Sequence, residues 1–249
     1  MMPTISLNDA RTPDDMRIYA IGDSHGCLDE LKALDQMISD DLLARPIESH
    51  KIIFLGDYVD RGPDSAGCLQ YLLERRAADP NVVCLKGNHE DKLLQFFEHP
   101  LRFANSFLTY GGVTFASSYA VTAPQVAASE ARIKSFANEL NEAVPQSHIE
   151  FLQTLDISHI AGDYMFVHAG IRPNLPLGDQ SELDIMWIRD EFISYLGLHE
   201  KVIVHGHTPH QKPEIMANRI NVDTLCYDTG NLTAVVLEGN EHRFLQTNP

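Results

Sequence analysis

Short apolar runs recur along the chain, and each of them ends in small and polar residues. The runs are RIYAIGD (17–23), KIIFLGD (51–57), NVVCLKGN (81–88), YMFVHAG (164–170) and KVIVHGH (201–207). Their length and their content of β-branched residues predict buried strands. Every run contains a Gly close to an Asp, Asn or His at its end, so each predicted strand leads into a polar loop.

Segments with helical spacing separate the first three runs. Leucines recur at three- and four-residue intervals in residues 27–44 and 64–78, which predicts a β-α-β-α-β opening. Continuous apolar strands that alternate with helices indicate a sheet covered on both faces, in which ligands bind beyond the carboxyl ends of the strands. The tail, residues 219–246, reads as short strands with Gly turns, which we expect to add antiparallel strands to the same sandwich.

Residues from about 100 to 155 differ from this pattern because Ala, Ser, Gln and Glu dominate them and no metal-type motif occurs there. We expect a helical cap beside the site, although plain packing helices explain the composition equally well. A length of 249 residues favours one large domain. We therefore predict a polar N-terminal tail (1–16) followed by a single domain (17–249) that contains the cap.

Composition and charge restrict the possible partners. The net charge is −16 and no basic cluster interrupts the acidic background, which argues against nucleic-acid binding. No apolar run approaches the roughly 20 residues that span a bilayer, and the start of the chain lacks the features of a secretory signal, so we expect a cytoplasmic protein without a membrane partner. Four scattered cysteines without a CxxC pair argue against a disulfide framework or a zinc-thiolate site.

The polar strand ends carry a set of residues that can bind metal ions. Each one alone has a simpler explanation: a turn, a helix N-cap or a structural histidine. Together they offer carboxylate, amide and imidazole groups without thiolate, which suits Mn, Fe, Zn or Co more than Ca or Mg. Six protein ligands are too many for one catalytic ion, so a binuclear site with Asp57 as the bridge is the simplest interpretation. The candidate ligands are Asp23, His25, Asp57, Asn88, His168 and His207.

These residues lie in the motifs GDSHG, GDYVDRG, GNHE, HAG and GHT, in that order. The ordered set resembles the calcineurin-like metallophosphoesterases of the serine/threonine phosphoprotein phosphatase family, especially its compact bacterial and phage branch, over residues 17–239. The resemblance implies an α/β fold in which a β-sandwich is flanked by helices in the order αββα, with the helical cap as an insertion. It also implies that Asp23, His25 and Asp57 hold one metal, and that Asp57, Asn88, His168 and His207 hold the other.

The same resemblance assigns the remaining site residues. Arg61 and Arg189 would bind the phosphate, and a surface salt bridge is the plainer explanation for Arg189. His89 would be the general acid that protonates the leaving oxygen, oriented by Asp60. A nearby carboxylate raises the pKa of an imidazole, which favours the protonated form that this role requires.

The function implied is phosphomonoester hydrolysis, foremost by a serine/threonine protein phosphatase acting on a phosphoprotein or phosphopeptide. Two divalent metal ions, manganese foremost, would hold the hydroxide that attacks phosphorus. The alternative is a symmetrical bis(5'-nucleosyl)-tetraphosphate hydrolase with a dinucleoside polyphosphate as substrate. Two residues weigh against this alternative: Asp60 and the Glu that follows GNH. Those relatives tend to carry a neutral residue at the first position and Asp at the second. A silent scaffold is a third interpretation, which the complete ligand set disfavours.

Two departures from the family pattern bear on the pocket. Leu225 stands where the family usually has Gly, and Ser24 stands where an aliphatic residue is preferred. A bulkier side chain at position 225 is expected to reshape the pocket or shift specificity. The sequence leaves the oligomeric state open.

Overall fold

The computed structural model describes residues 3–248, whose strands form two five-stranded sheets. The first sheet has β1 (Met16–Ile21), β2 (Ser49–Phe54), β3 (Val82–Cys84), β9 (Thr233–Glu238) and β10 (Glu241–Gln246), in the order β10-β9-β1-β2-β3. The second sheet has β4 (Ser158–Ala161), β5 (Tyr164–Val167), β6 (Val202–His205), β7 (Glu214–Ile215) and β8 (Arg219–Asn221), in the order β4-β5-β6-β8-β7. β1, β2 and β3 pair in parallel, as do β5 and β6.

Alternation along β1 explains why both faces of the first sheet are buried. Ile18 and Ala20 share an apolar cluster with Phe166 and Val204 of the second sheet. Successive side chains of a strand point to opposite faces. Tyr19 therefore belongs to another cluster, which the helices cover.

Helices cover the outer face of each sheet. On the first sheet's side lie α1 (Leu28–Ala44), α2 (Ser65–Ala78), α3 (Asn88–Glu98), α4 (Pro100–Thr109), α5 (Gly112–Ser118), α6 (Glu130–Ala143) and α7 (Gln146–Gln153). On the second sheet's side lie α8 (Glu182–Trp187) and α9 (Asp190–Ile193), and a short helix, α10 (Cys226–Thr229), follows β8. The predicted α/β class, the β-α-β-α-β opening and the αββα layering are confirmed.

One strand of the tail differs from the prediction. β9 and β10 add to β1 in antiparallel fashion as expected, but β8 pairs in parallel with β6. The reason is β7, which runs antiparallel to β8 and turns the chain back, so that β8 repeats the direction of β6.

Residues 100–153 form four helices, α4 to α7, which we call the helical segment. Phe107, Phe115 and Phe136 anchor it in the apolar cluster that also holds Phe96 of α3. At the other end of the described chain, Leu7 and Ala10 are buried against the sandwich, and the Ile5 amide donates a hydrogen bond to the His199 carbonyl. Within residues 3–248 the search for a helix both long and apolar enough to cross a membrane finds none.

Candidate metal centre

The polar ends of the predicted strands meet at one edge of the sandwich, around the carboxylate of Asp57. Asp57 Oδ2 lies 3.5 Å from His25 Nε2 and 3.9 Å from His89 Nε2. Its other oxygen, Oδ1, lies 3.3 Å from His168 Nε2. A carboxylate that faces imidazoles with both of its oxygens has the geometry of a bridge between two ions.

Two groups of ligand atoms share Asp57. One contains His25 and His89, the other contains His168 and His207, and within each group the ligand atoms lie within 4.8 Å of one another. Asn88 belongs to the second side, since its Oδ1 lies 3.0 Å from His168 Nε2. The buried Nε2 of His207 has no hydrogen-bond partner in residues 3–248, as expected of an atom that faces a cation.

Asp23 is held beside these groups by the backbone. The His207 amide donates to its carboxylate at 3.1 Å, and a Cβ on Gly206 would lie only 2.0 Å from Asp23 Oδ1. The backbone at Gly87 lies similarly close to the other carboxylate, since a Cβ added at this position would lie 2.2 Å from Asp57 Oδ1. Glycine at these two motif positions therefore lets the backbone close on the carboxylates.

The motif loops hold several of the predicted site residues on a strained backbone. His25, Asp57, Asp60, Arg61 and His207 have φ values of 42°, 53°, 71°, 65° and 65°. Non-glycine residues rarely adopt this left-handed region, and such strain clusters at functional sites. Leu225 shares the conformation with φ 57°, which gives a physical reason for a glycine at this position.

Glu90, the last residue of the GNHE motif, organises two of the loops although the motif by itself does not indicate this role. Its buried carboxylate accepts backbone N–H groups from Asp57, Tyr58 and Gly87 at 2.8 to 2.9 Å. Burial raises the pKa of Glu90 to about 7, with Asp57 adding to the shift and the amides opposing it. Glu90 thus fixes the loop that carries Asp57 to the start of α3.

Burial and neighbouring charges control the ionisation of the centre. Burial lowers the pKa of His25 to about 3 and that of His207 to about 2, so both imidazoles are neutral and able to bind a cation. Burial alone would raise the pKa of Asp57, but the facing imidazoles, His168 foremost, hold it well below its usual range. The Asp57 carboxylate is therefore ionised at neutral pH.

His89 and Asp60 form a buried pair with 2.6 Å between Nδ1 and Oδ2. The pKa of His89 is nevertheless lowered, to about 4, because burial outweighs the opposing effect of the Asp57 carboxylate, which raises this pKa. The net shift therefore disfavours the protonated form. Burial also raises the pKa of Asp60 well above its ordinary value, so the two groups compete for one proton.

The two predicted phosphate ligands lie on the exposed rim. Arg61 donates to the hydroxyl of Tyr227 at 2.9 Å, and its guanidinium lies 4.9 Å from the centre of that ring. The same ring contacts the imidazole of His25 edge to face, at 5.4 Å. Arg189 is exposed just before α9, and its charge contributes to the lowered pKa of His207, after burial and His168. Both guanidinium groups thus border the centre.

A buried lysine that the motifs do not reveal joins the centre to the helical segment. Lys92 Nζ lies 3.8 Å from the ring centre of Tyr110 and 5.0 Å from that of Trp187. Gly111, next to Tyr110, packs closely against Asp60: a Cβ added at Gly111 would lie 2.6 Å from the Asp60 Cβ. Since Lys92 follows His89 by three residues, helical spacing is the signal that could have placed it near the centre.

Comparison with known proteins gives close relatives of stated activity. A bis(5'-nucleosyl)-tetraphosphatase PrpE [asymmetrical] of Anoxybacillus flavithermus is 30% identical over 230 residues, which cover 86% of this chain and 88% of the relative. The protein of the same name in Geobacillus sp. is 30% identical over 241 residues, covering 88% and 89%.

Solved structures share the fold at lower identity. A crystal structure of a candidate diadenosine tetraphosphatase has a TM-score of 0.63 at 22% identity and covers 95% of this chain and 98% of its own. A cold-active protein-tyrosine phosphatase of a psychrophilic Shewanella species has a TM-score of 0.52 at 16% identity, covering 96% and 84%.

The ordered motifs, the layered fold and the carboxylate-imidazole centre agree with the match to a sequence profile. The profile of the calcineurin-like phosphoesterases spans residues 16–244, and the chain belongs to this family.

Proposed function

We propose that the chain is a metal-dependent hydrolase of dinucleoside tetraphosphates that cleaves them asymmetrically. The observation that carries this proposal is the 30% identity, over most of both chains, to relatives named for that activity. The motifs alone favour a protein phosphatase and, as the alternative, symmetrical cleavage. The names of the relatives favour a dinucleoside tetraphosphate as the substrate and asymmetrical cleavage as the reaction.

The residues at the centre fit two divalent ions. The candidate sets are Asp23, His25 and Asp57 on one side, and Asp57, Asn88, His168 and His207 on the other. The unpartnered Nε2 of His207 and the anionic Asp57 between two imidazole groups support this assignment. When bound, the ions supply positive charge that activates water and neutralises phosphoryl oxygens.

The chain's own side chains would bind and orient the polyphosphate. Arg61 and Arg189 border the centre and can donate to phosphoryl oxygens. Tyr227 holds the Arg61 guanidinium in place through its hydroxyl and its ring. The pair of His89 and Asp60 shares a proton that can be delivered to a leaving oxygen.

Aromatic rings near the centre suit a substrate that ends in two nucleosides. Tyr110 is 52% exposed, and Trp187 and Tyr227 are half-buried. Stacking of a base on an aromatic ring contributes about 1–3 kcal/mol. A dinucleoside tetraphosphate could therefore place its phosphates between the arginines and one of its bases on a ring.

The test separates products by ion-exchange chromatography after the metal-stripped protein is reloaded with Mn²⁺ and given diadenosine tetraphosphate. The expected products are ATP and AMP in equal amounts. Formation of ADP alone would retain the tetraphosphatase activity but reject asymmetrical cleavage. No nucleotide cleavage, with rapid release of phosphate from a phosphoserine or phosphothreonine peptide, would overturn the proposal.

A second candidate is the protein phosphatase activity, and the pair of His89 and Asp60 favours it. An alkoxide leaving group needs a proton, whereas a nucleotide leaves as a phosphate that needs none. A buried acid next to the bridge position is therefore most useful for a phosphomonoester of serine or threonine. The same assay with both substrates side by side decides between the candidates.

A further inference from the structure

Two cysteines from distant parts of the chain meet beside the metal centre. Cys27 precedes α1 and Cys226 begins α10, 199 positions later, and both are buried. Their sulfur atoms and a carboxylate oxygen of Glu30, in the first turn of α1, lie within 4.8 Å of one another. The scattered spacing argues against a zinc-thiolate site, but the fold assembles the ligands for one.

The cluster opens onto its own cavity. A space of about 300 Å³ is lined by Cys27, Glu30, Asp64, Cys226 and Tyr227, among others. Glu30 is half-buried at its wall, so a small ion can reach the sulfur atoms from solvent. None of the six candidate ligands of the metal centre lines this cavity, so the two sites have separate ligand sets.

We propose that Cys27, Cys226 and Glu30 bind one thiophilic divalent cation, with Zn²⁺ as the natural ion and Cd²⁺ as its analogue. Two thiolates and one carboxylate give a tetrahedral ion three protein ligands, and a water from the cavity completes the fourth position. Two sulfur atoms on a tetrahedral zinc ion lie about 3.8 Å apart, which the present separation allows after small rotations. Binding displaces the two thiol protons to solvent, so the bound unit carries one net negative charge.

The ion would connect the start of α1 to the start of α10. Cys27 lies two residues after His25, and Cys226 directly precedes Tyr227, whose ring contacts both His25 and Arg61. Occupancy would therefore stiffen the segment that holds Arg61 at the rim. The carboxylate of Glu30 favours a metal over a disulfide as the purpose of the cluster, since a disulfide requires no third ligand.

The test uses the whole chain, reduced with a phosphine and freed of metal, and titrates it with Cd²⁺. Thiolate-to-cadmium charge transfer in the ultraviolet reports only ions bound to sulfur, so occupancy of the carboxylate-imidazole centre does not contribute. The expected band saturates at one ion per chain and disappears in Cys27→Ser and in Cys226→Ser. Cys84→Ser, which removes another buried thiol, should keep it, and Glu30→Gln should weaken binding about 10-fold or more.

Three outcomes would overturn the proposal: no band with Cd²⁺, a band that survives both cysteine replacements, or a band that is lost equally in Cys84→Ser. If the serine variants do not fold, wild-type protein provides the second measurement. Zn²⁺ should slow alkylation of Cys27 and Cys226 by N-ethylmaleimide relative to Cys84. Equal protection of all three thiols would also contradict the proposal. So would a Cys27–Cys226 disulfide that forms in air, if the reduced protein does not bind Cd²⁺.

Discussion

The motif loops and the helical segment lie side by side but are stabilised in different ways. In the motif loops, five predicted site residues adopt a left-handed backbone conformation, and all five have polar or ionisable side chains. In the helical segment the non-glycine residues with positive φ are Ala120 and Ala127, both exposed in turns between helices. There the anchoring contacts are apolar, such as the stacked rings of Phe96 and Phe107 at 4.5 Å.

We expect the motif loops to carry out the reaction and the helical segment to influence the choice of substrate. Strained loops with buried charges persist only when surrounding contacts impose them, and here Glu90 and the close glycines do so. The helical segment approaches the centre at Tyr110 and Gly111, so we expect substitutions there to change which substrate binds.

The largest expected effect comes from the bridge position in the motif loops. Asp57→Asn should remove the shared negative charge, empty both metal sites and lower turnover about 10⁴-fold, since metal ions contribute several kcal/mol to such reactions. Elemental analysis of the purified variant measures the occupancy. Asp40→Asn, which removes an exposed carboxylate of α1, is the control and should retain both ions. Two ions per chain in Asp57→Asn would reject the bridging role.

The buried pair in the same loops gives the next largest effect. His89→Gln should keep the metal content but slow hydrolysis of an alkyl phosphomonoester by roughly 10²- to 10⁴-fold, the contribution of a general acid. Hydrolysis of diadenosine tetraphosphate should fall much less, because its leaving group needs no proton. Single-turnover kinetics with both substrates gives the ratio. An identical loss for both would show that His89 acts by position rather than by protonation.

A substitution in the helical segment should change binding and leave the reaction intact. Tyr110→Ala should raise KM for diadenosine tetraphosphate about 10-fold through the loss of a stacking surface. The KM for p-nitrophenyl phosphate, which has no nucleoside, should stay the same. Leu101→Ala, at another exposed apolar position of the segment, is the matched control. Equal changes for both substrates would mean that Tyr110 supports Lys92 and the centre instead.

Backbone strain predicts a gain of stability in the loop beside α10. Leu225→Gly should raise the free energy of unfolding by about 1 kcal/mol, because glycine adopts φ 57° without the cost that leucine bears. Denaturant unfolding measures the change. Leu183→Gly, in the exposed first turn of α8, should lower stability by a similar amount. A loss of stability in both variants would show that the packing of Leu225 outweighs its strain.

The smallest effect is a pH dependence that belongs to the helical segment. Burial lowers the pKa of His148, whose ring contacts the Tyr119 hydroxyl at 2.6 Å. In the unfolded chain the imidazole of His148 takes up a proton at a pKa of about 6.5, which is higher than its pKa in the native protein. The free energy of unfolding therefore falls as the pH falls from about 6.5 towards the native pKa.

His148→Gln should make the unfolding free energy depend less steeply on pH. The reduction corresponds to at most one bound proton, or about 1.4 kcal/mol per pH unit. Urea unfolding at pH 7 and pH 5 measures it, with the exposed His242→Gln as control. A slope unchanged by the His148 replacement, or reduced equally by the His242 replacement, would assign the pH dependence elsewhere.

The apolar runs and their polar ends are local patterns, so the sequence alone predicts the strands, the order of the motifs and the edge at which they converge. β1, β2 and β6 begin or end within two or three residues of the predicted runs. The family resemblance follows from the same residues because the motifs are contiguous. The direction of β8 escapes prediction because it depends on β7, a two-residue strand without a distinct pattern.

Tertiary structure decided the features that depend on contacts between distant segments. The lowered pKa of His89 follows from its burial in the folded protein, which its motif does not reveal. Tyr110 lies near Lys92 because α4 packs against α3, and Cys27 lies near Cys226 because both residues belong to one apolar cluster. Sequence spacing determines which residues share a strand or a helix face, whereas packing determines which faces meet and how much water remains between them.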